Sequence, residues 1–237
     1  MTATRSLSIV VPAYCEAANI VPTLHNITAA LSGLSLHAEV LVVDDGSTDG
    51  TSEAVNRSLH LFPAVRLLVN DRNRGFGWTY RRGVSESRGD YIVMVHGDNA
   101  WGAATLRALF ARVGEADVII GYTRDMHKAR TWSRTLLSRA FTASVNLVTG
   151  NRLRYYNGLQ IHPAAVLKAM TIQSSGYGFQ AEVLVKSLRA THSYVEVPMD
   201  LIERQHGASK AFRVRNAVDI MQTLARLSTL NGGAASR

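Results

Sequence analysis

The sequence has very little cysteine and no long hydrophobic run. Its single cysteine, Cys15, cannot form an internal disulfide, so the fold does not require an oxidising compartment. No apolar run approaches the ~18–20 residues that a membrane-spanning helix needs. The 5 prolines and 18 glycines follow no period, which excludes a collagen-like or linker-rich chain. We therefore expect a soluble, cytoplasmic protein that at most rests on a membrane surface.

Acidic residues are scarce relative to basic ones. The 237 residues include 26 Lys and Arg against 18 Asp and Glu, which gives a formal net charge of +8. With 46% hydrophobic and 19% charged residues, the composition excludes intrinsic disorder. A basic chain favours anionic partners such as nucleotides, phospholipids or nucleic acid. Because no zinc-finger spacing, RNP-like motif or recognisable helix-turn-helix is present, we do not expect a nucleic-acid partner.

Short apolar runs alternate with segments of helical spacing through the first half of the chain. The predicted strands, nearly continuous in Val, Ile and Leu, are Leu7–Pro12, Glu39–Asp44, Val65–Asn70, Asp90–Val95 and Asp117–Gly121. The predicted helices are Glu16–Leu31, Thr51–Leu61, Gly75–Ser87 and Ala103–Val113. This alternation predicts an α/β fold with a layered, mostly parallel sheet, helices on both faces and ligands at the carboxyl ends of the strands. We expect one domain over residues 1–230 and a frayed tail at 231–237.

A basic amphipathic helix is predicted at residues 131–148. Its apolar stripe would consist of Trp132, Leu136, Leu137, Ala140, Phe141, Val145 and Val148. The other side would carry Arg134, Thr135, Ser138, Arg139 and Asn146. Seven Arg or Lys and one acidic residue lie between Arg124 and Arg154. Such a helix can lie in a membrane interface, or it can be a surface helix that packs on the core with solvated arginines.

Paired carboxylates follow the second predicted strand, in the run Asp44–Asp49. Capping of the next helix would need only one of the Ser, Thr or Asp residues at positions 47–49. Two adjacent aspartates at the end of a strand suit hydrogen bonding to a base or ribose, or a cation site. An ordinary strand–turn–helix connection is the alternative.

Three further segments follow predicted strands. The first strand leads into Val11–Ile20 without a Gly-x-Gly-x-x-Gly motif, which argues against a dinucleotide-binding domain. In the segment Asn73–Gly77, glycines beside an arginine at a helix start fit close approach to a phosphate. The fourth strand ends in His96 and Asp98.

In this order and spacing the four segments resemble the family 2 glycosyltransferases of the GT-A fold, in particular the polyprenyl- and dolichol-phosphate sugar transferases. The family's Val-Pro-x-Tyr-Asn-Glu segment is matched except that Cys15 replaces Asn. Its Asp-Asp-Gly-Ser-x-Asp is matched in full by Asp44–Asp49, and its Asn-x-Gly by Asn73 and Gly75. Its Asp-x-Asp metal motif is replaced here by the run from His96 to Asp98. The resemblance covers residues 7–122 well and 150–212 more loosely.

The resemblance implies transfer of a sugar from a GDP-mannose or UDP-hexose type of donor with anomeric inversion. Residues 1–122 would bind the nucleotide sugar, and residues 123–230 would bind the acceptor. Pro12, Tyr14, Glu16 and Asp44 would hold the base and ribose, Asp45 would lie near the sugar or metal, and Arg74 and Gly75 would face the diphosphate. Asp98 would coordinate Mn²⁺ or Mg²⁺, and His96 could be a second, softer ligand that favours manganese.

Two segments of the second half also look like parts of this family. Ser175–Glu182 is similar to Gly-Phe-x-Phe-(acid)-x-Glu, which makes Glu182 a candidate general base. Glu203–Lys210 is similar to the Arg-x-x-Gly-x-Ser-Lys element of the polyprenyl-phosphate branch. The resemblance implies that Arg204, Ser209 and Lys210 contact converging phosphates, with a solvated basic loop as the alternative.

The nature of the acceptor decides whether a base is needed. A polyprenyl phosphate is already an anion and can attack without one, whereas a sugar hydroxyl must lose a proton during attack. The cation excess and the amphipathic helix favour the lipid acceptor, at the cytoplasmic face of a membrane and with a membrane protein as a possible partner. Two alternatives stay open: transfer to a saccharide hydroxyl with Glu182 as base, and a nucleotide-binding pseudoenzyme. The second is suggested by His96, Ala100 and Gln180, which stand where the family tends to be acidic or amide-bearing.

Overall fold

The fold is described from a computed structural model, which describes residues 5–123, 132–174, 176, 178–200 and 214–231. Within these ranges seven strands form one sheet. They are β1 (Ser6–Ala13), β2 (His37–Asp44), β3 (Val65–Val69), β4 (Tyr91–Met94), β5 (Val118–Thr123), β6 (Gln160–Pro163) and β7 (Tyr194–Met199). Their order across the sheet is β3-β2-β1-β4-β6-β5-β7. Strand β6 is antiparallel to β4 and β5, and the other neighbours are parallel.

Helices cover both faces of this sheet, as the sequence predicts. They are α1 (Ile20–Leu31), α2 (Thr51–Ser58), α3 (Phe76–Glu86), α4 (Ala103–Phe110), α5 (Trp132–Thr149), α6 (Ala164–Ala169), α7 (Phe179–Ala190) and α8 (Val214–Asn231). Alternate residues of β1 enter opposite cores: Ile9 packs in a cluster with α1, α2 and α4, whereas Val10 packs with α3, α6 and α7. A third cluster joins β5 to α5, α7 and α8. The mostly parallel α/β fold is therefore confirmed.

The predicted elements of the first half are all present, with shifted ends. Helix α1 begins at Ile20, four residues later than predicted. Residues 15–17 form a loop instead, because their backbone N–H groups donate to side chains of the β2–α2 loop and of the first residue of α2. Helix α2 ends at Ser58, and the chain continues as a 3₁₀ turn over Leu59–Leu61. Helix α3 is one residue shorter than predicted at each end. Helix α4 begins at the predicted residue and ends at Phe110, before the predicted end at Val113.

The second half contains two strands that the sequence analysis does not predict. Strand β6 is only four residues long and includes the polar residues Gln160 and His162, which are buried. Strand β7 includes Glu196 and Pro198. Both lack the continuous apolar pattern by which a buried strand is predicted. They are strands because they pair with neighbours in the sheet, and not because of their local hydrophobicity. One sheet contains strands of both halves of the chain. The division into a nucleotide-sugar-binding half and an acceptor-binding half at residue 122 stays a prediction.

The predicted apolar stripe of α5 is divided between buried and exposed positions. Phe141 and Val145 are buried, but Trp132, Leu136 and Leu137 are exposed. Thr135 and Ser138, predicted on the side opposite the apolar stripe, are buried. The helical period alone orders residues around the axis, but it does not say which arc meets the sheet. In the described part of the chain, no helix combines the length and the apolar composition that crossing a membrane requires.

The strand order places a crevice between β1 and β4. The chain moves outward from β1 to β2 and β3, and then returns to place β4 on the other side of β1. Such a reversal separates the loops that follow the two strands, and ligands of open parallel sheets bind in the resulting crevice. The loops that follow β1, β2 and β4 carry three of the four segments singled out in the sequence.

Candidate active site

A cleft of about 300 Å³ opens at the carboxyl ends of β1, β2 and β4. This volume is at the lower end of the range of small-molecule sites. The lining residues are Pro12, Ala13, Tyr14, Glu16, Asp45, Asn73, Gly75, Phe76, Thr79, His96, Gly97 and Asp98. The structure therefore brings together seven of the predicted site residues, which are Pro12, Tyr14, Glu16, Asp45, Gly75, His96 and Asp98.

The β1–α1 wall of the cleft is held by side chains of the β2–α2 loop and of the first residue of α2. Three successive backbone N–H groups, from residues 15, 16 and 17, donate to Ser47 Oγ, Thr51 Oγ1 and Asp49 Oδ2 at 2.9–3.0 Å. Burial raises the pKa of Asp49, but hydrogen bonds from Thr51 and Ala17 outweigh it and leave the pKa below its ordinary value. Ser47 and Asp49 of the Asp-Asp-Gly-Ser-Thr-Asp motif thus fix the neighbouring loop.

Cys15 has an uncommon backbone conformation at the centre of this loop. Its φ is +56°, in the left-handed region that disfavours side chains other than Gly, Asn and Asp. The resemblance places Asn at this position, and an asparagine tolerates this conformation better than a cysteine does. Cysteine in place of asparagine at position 15 therefore increases the backbone strain. The hydrogen bond from the backbone N–H of Cys15 to Ser47 Oγ is kept, because it does not involve the side chain of residue 15.

The two paired aspartates have different surroundings. Asp44 is fully buried and accepts hydrogen bonds from the backbone N–H and hydroxyl of Ser47 and from the hydroxyl of Ser52. In the described part of the chain Asp44 is not among the residues that line the cleft. The expected contact of Asp44 with a base or ribose therefore has no support in this geometry, because the side chain already binds the loop beneath it.

Asp45 lines the cleft and also ties its β3–α3 side in place. Its Oδ1 accepts from Asn70 Nδ2 at 2.7 Å and from the backbone N–H of Arg74 at 2.8 Å, and its Oδ2 accepts from the backbone N–H of Gly75 at 2.9 Å. Gly75, with φ of +88°, precedes the first residue of α3. Asp45 therefore sets the position of the segment that the sequence analysis assigns to the diphosphate.

The side chain of Arg74 is placed differently from the prediction. Its guanidinium donates to both carboxylate oxygens of Asp71, at 2.9 and 3.0 Å, and lies over the ring of Trp78. In the described part of the chain, the cleft is lined by the neighbours Asn73 and Gly75 and not by Arg74. A contact between Arg74 and a phosphate would require the ion pair with Asp71 to be exchanged, and the pair is partly exposed.

The segment after β4 brings His96 and Asp98 into the cleft. Between them, Gly97 donates its backbone N–H to the carbonyl of Pro12 at 3.2 Å. A Cβ at Gly97 would lie 3.3 Å from both Ala13 Cβ and the Pro12 carbonyl oxygen, so a side chain would crowd the end of β1. Asp98 Oδ1 accepts weakly, at 3.3 Å, from the backbone N–H of Ala100. A carboxylate and an imidazole thus face the same space.

Phe76 is a cleft residue to which the sequence analysis assigns no role. Its ring stacks on the ring of His96, with a centroid distance of 5.2 Å and an interplanar angle of 10°. It also makes an edge contact with Phe179, which in turn contacts Tyr80. This row of rings gives His96 a flat wall to pack against. The available signal was the position of Phe76 in the Asn73–Gly77 segment, but its partner could not be read from the sequence.

Glu182 is buried outside the cleft and is surrounded by donors. Its Oε1 accepts from the backbone N–H of Gln173 at 3.0 Å and from Lys186 Nζ at 2.5 Å, and its Oε2 accepts from the backbone N–H of Ser174 at 2.7 Å. Burial raises the pKa of Glu182, but these hydrogen bonds outweigh it and lower the pKa overall. This placement does not agree with the expected general base, and it makes Glu182 an anchor for residues 173–174.

The predicted phosphate-binding residues Arg204, Ser209 and Lys210 lie outside the described residues. Both residues predicted to bind a metal, His96 and Asp98, line the cleft. Among the described residues no group of three or more His, Cys, Asp or Glu side chains is arranged to hold a metal ion. Mg²⁺ in proteins is commonly held by one or two carboxylates together with waters and substrate phosphates.

The mostly parallel sheet with its antiparallel β6, and the cleft at its reversal point, have the architecture of the GT-A fold. A solved structure of glucosyl-3-phosphoglycerate synthase from Mycobacterium tuberculosis, in complex with Mg²⁺ and UDP, superposes with a TM-score of 0.72. The superposition covers 96% of this chain and 80% of that one at 19% identity, so the likeness is one of fold. A second structure of that enzyme, with Mn²⁺, UDP-glucose and phosphoglyceric acid, gives the same TM-score over 96% and 81%.

Residues 8–170 match the model of the glycosyl transferase family 2, and the chain belongs to this family. It is 30% identical over 211 residues to an undecaprenyl-phosphate mannosyltransferase of Micrococcus luteus, which covers 85% of each chain. It is 26% identical over 242 residues to a dolichol-phosphate mannosyltransferase of Saccharomyces cerevisiae, covering 96% of this chain and 88% of that protein. The resemblance seen in the four segments is thereby confirmed, and the protein is a glycosyltransferase.

Proposed function

We propose that this enzyme transfers a sugar, with inversion, from a nucleotide-diphosphate sugar to a polyprenyl phosphate at a membrane surface. The observation that carries the proposal is the similarity to polyprenyl-phosphate sugar transferases, which extends over 85% or more of the chain. The acceptor half is therefore included in the similarity, whereas the family model ends at residue 170.

The surroundings of Glu182 support an acceptor that is already ionised. A hydroxyl acceptor needs a carboxylate that can take its proton, but both oxygens of Glu182 accept hydrogen bonds from protein donors. In the described part of the chain, three carboxylates line the cleft. Asp45 is bound by three donors, and Glu16 accepts from Asn19. The third, Asp98, is the cation ligand of this proposal. A phosphate oxygen needs no base, so this arrangement fits a phosphate acceptor.

A divalent cation fits the donor set at the end of β4. Asp98 supplies a hard oxygen ligand and His96 a softer nitrogen, and a diphosphate would supply further oxygens. The solved structures of similar fold contain Mn²⁺ or Mg²⁺ together with UDP. When bound, such a cation would neutralise the charge that grows on the departing nucleoside diphosphate.

The chain's own residues would bind and orient the donor. Tyr14 and Glu16 would contact the nucleoside, since they form the β1–α1 wall that the β2–α2 loop holds rigidly. The segment Asn73–Gly75, fixed by Asp45, would approach the diphosphate through its backbone. Arg204, Ser209 and Lys210 would offset the repulsion between donor and acceptor phosphates, as charge-assisted hydrogen bonds can do.

The direct test is a transfer assay with radiolabelled UDP- and GDP-sugars, a short polyprenyl phosphate and either Mn²⁺ or Mg²⁺. Label that enters the organic phase, and is released by mild acid as a glycosyl phosphate is, would support the proposal and identify the donor. A Lys210→Ala variant should lose most of this transfer. Label that appears only in water-soluble saccharides would contradict the lipid acceptor.

A further inference from the structure

Helix α5 presents an apolar stripe to the outside of the molecule. We call this the α5 stripe and define it by residues at spacings that keep them on one side of the helix, Trp132, Leu136, Ala140, Ala143 and Leu147. All five are exposed, and the exposed fraction reaches 77% for Trp132 and 84% for Leu147. With a rise of 1.5 Å per residue the stripe is about 22 Å long.

The side of α5 that faces the protein is more polar than a core-facing side should be. Thr135, Ser138 and Thr149 are buried beside Phe141 and Val145. The Ser138 hydroxyl is buried and has no hydrogen-bond partner. A surface helix in water normally has the opposite arrangement, with its apolar side inward. This inversion indicates that the outer side of α5 meets an apolar surrounding rather than water.

The positive charge in and next to α5 in the sequence favours an anionic bilayer over a second copy of this chain as the partner of this surface. Helix α5 contains two arginines and no acidic residue, and the interval from Arg124 to Arg154 has seven cationic residues against one acidic. A second copy of this chain would bring the same cations, and a net charge of +8, against themselves. An anionic bilayer offers both an apolar layer and opposite charge.

We propose that the α5 stripe is the surface by which this protein docks on an anionic phospholipid bilayer, with the helix lying flat in the interface. The inference rests on the proposed function, since a lipid acceptor must be reached at a membrane. It adds the particular surface: Trp132, Leu136 and Leu147 enter the boundary between head groups and acyl chains, and neighbouring cations contact the head groups.

The test measures binding of the full chain to phosphatidylcholine vesicles with and without about 30% phosphatidylglycerol. We expect binding to the anionic vesicles and a blue shift of tryptophan emission that Trp132→Phe removes. The double variant Leu136→Ser/Leu147→Ser should bind about tenfold or more weakly, because two exposed leucines no longer enter the bilayer. Leu61→Ser changes a comparably exposed leucine before β3, and should bind like the wild type.

The outcomes separate this inference from the proposed function. Unchanged vesicle binding in the double variant, or a dimer in solution that the double variant dissociates, would overturn the docking surface. If the double variant keeps transfer to a short, water-soluble polyprenyl phosphate but loses transfer to a long one in vesicles, both proposals are supported. If the stripe binds vesicles but no polyprenyl phosphate accepts sugar, the docking surface stands and the proposed function fails.

Discussion

Replacing Glu182 by glutamine distinguishes an anchor from a general base. Glutamine keeps the size of the side chain, but its amide has one oxygen that accepts hydrogen bonds and one NH₂ group that donates them. If the oxygen takes the place of Oε1, it can still accept from Gln173 and Lys186, but the amino group then faces the backbone N–H of Ser174. A buried donor is left without an acceptor, since Ser174 is only 1% exposed.

The expected cost follows from these contacts. One charge-assisted hydrogen bond is lost and one buried N–H is left unsatisfied, which together cost about 2–4 kcal/mol. For a chain of this size that lowers Tm by roughly 5–15 °C. The same reasoning gives a pH dependence. Because the pKa of Glu182 is lowered on folding, its contribution to stability is present above its unfolded pKa near 4.5 and is lost as pH falls through the lower folded pKa.

The assay combines thermal unfolding with kcat measured well below Tm. For an anchor, we expect Glu182→Gln to unfold earlier than the wild type but to keep kcat within about threefold at low temperature. The control Glu53→Gln changes an exposed glutamate in the first turn of α2, and should stay within about 1 kcal/mol of the wild type. A variant with wild-type Tm and a kcat reduced by about 10²–10⁴ would refute the anchor and restore the base.

Four further substitutions test the cleft. Cys15→Asn should stabilise the fold by about 0.5–1 kcal/mol in urea unfolding, because asparagine tolerates a φ of +56° better. Gly46→Ala should destabilise it by about 3 kcal/mol or more, since a Cβ would lie 2.6 Å from the backbone of Arg72 at a φ of +71°; an unchanged urea midpoint would contradict this. Asp45→Asn turns an amino group towards a backbone N–H and should weaken calorimetric UDP- or GDP-sugar binding about tenfold. Asp98→Ala should lower cation-dependent transfer about 100-fold and weaken Mn²⁺ binding measured by paramagnetic resonance, with Tm unchanged.

The first half of the fold was predictable because its central strands, β1, β2 and β4, are largely buried on both faces. Runs such as those of β1 and β2 are continuous in apolar residues, a pattern that few other elements share. Strand β6 carries Gln160 and His162, whose burial depends on partners distant in sequence. Burial lowers the pKa of His162 to about 3, so it stays neutral in the sheet. The strand pairing around His162, and not the hydrophobic pattern of β6, therefore explains why this segment is a strand.

The positions of the site segments could be predicted, but the role of each side chain could not. Asp44 is the last residue of β2 and Asp45 follows it, and successive side chains of an extended backbone point to opposite sides. The two side chains therefore point in different directions, and the sequence does not say which of them faces the cleft. The structure places Asp45 on the cleft and surrounds Asp44 with Ser47 and Ser52.

The histidine at the end of β4 shows how packing can accommodate a departure from a motif. A carboxylate at position 96 would be small and strongly hydrated, whereas an imidazole needs a flat contact on its ring face. Phe76 provides this contact, and Phe76 is itself held by Phe179 and by the loop that Asp45 fixes before α3. The position of His96 beside Asp98 therefore depends on residues from α3 and α7 that the four sequence motifs do not connect to it.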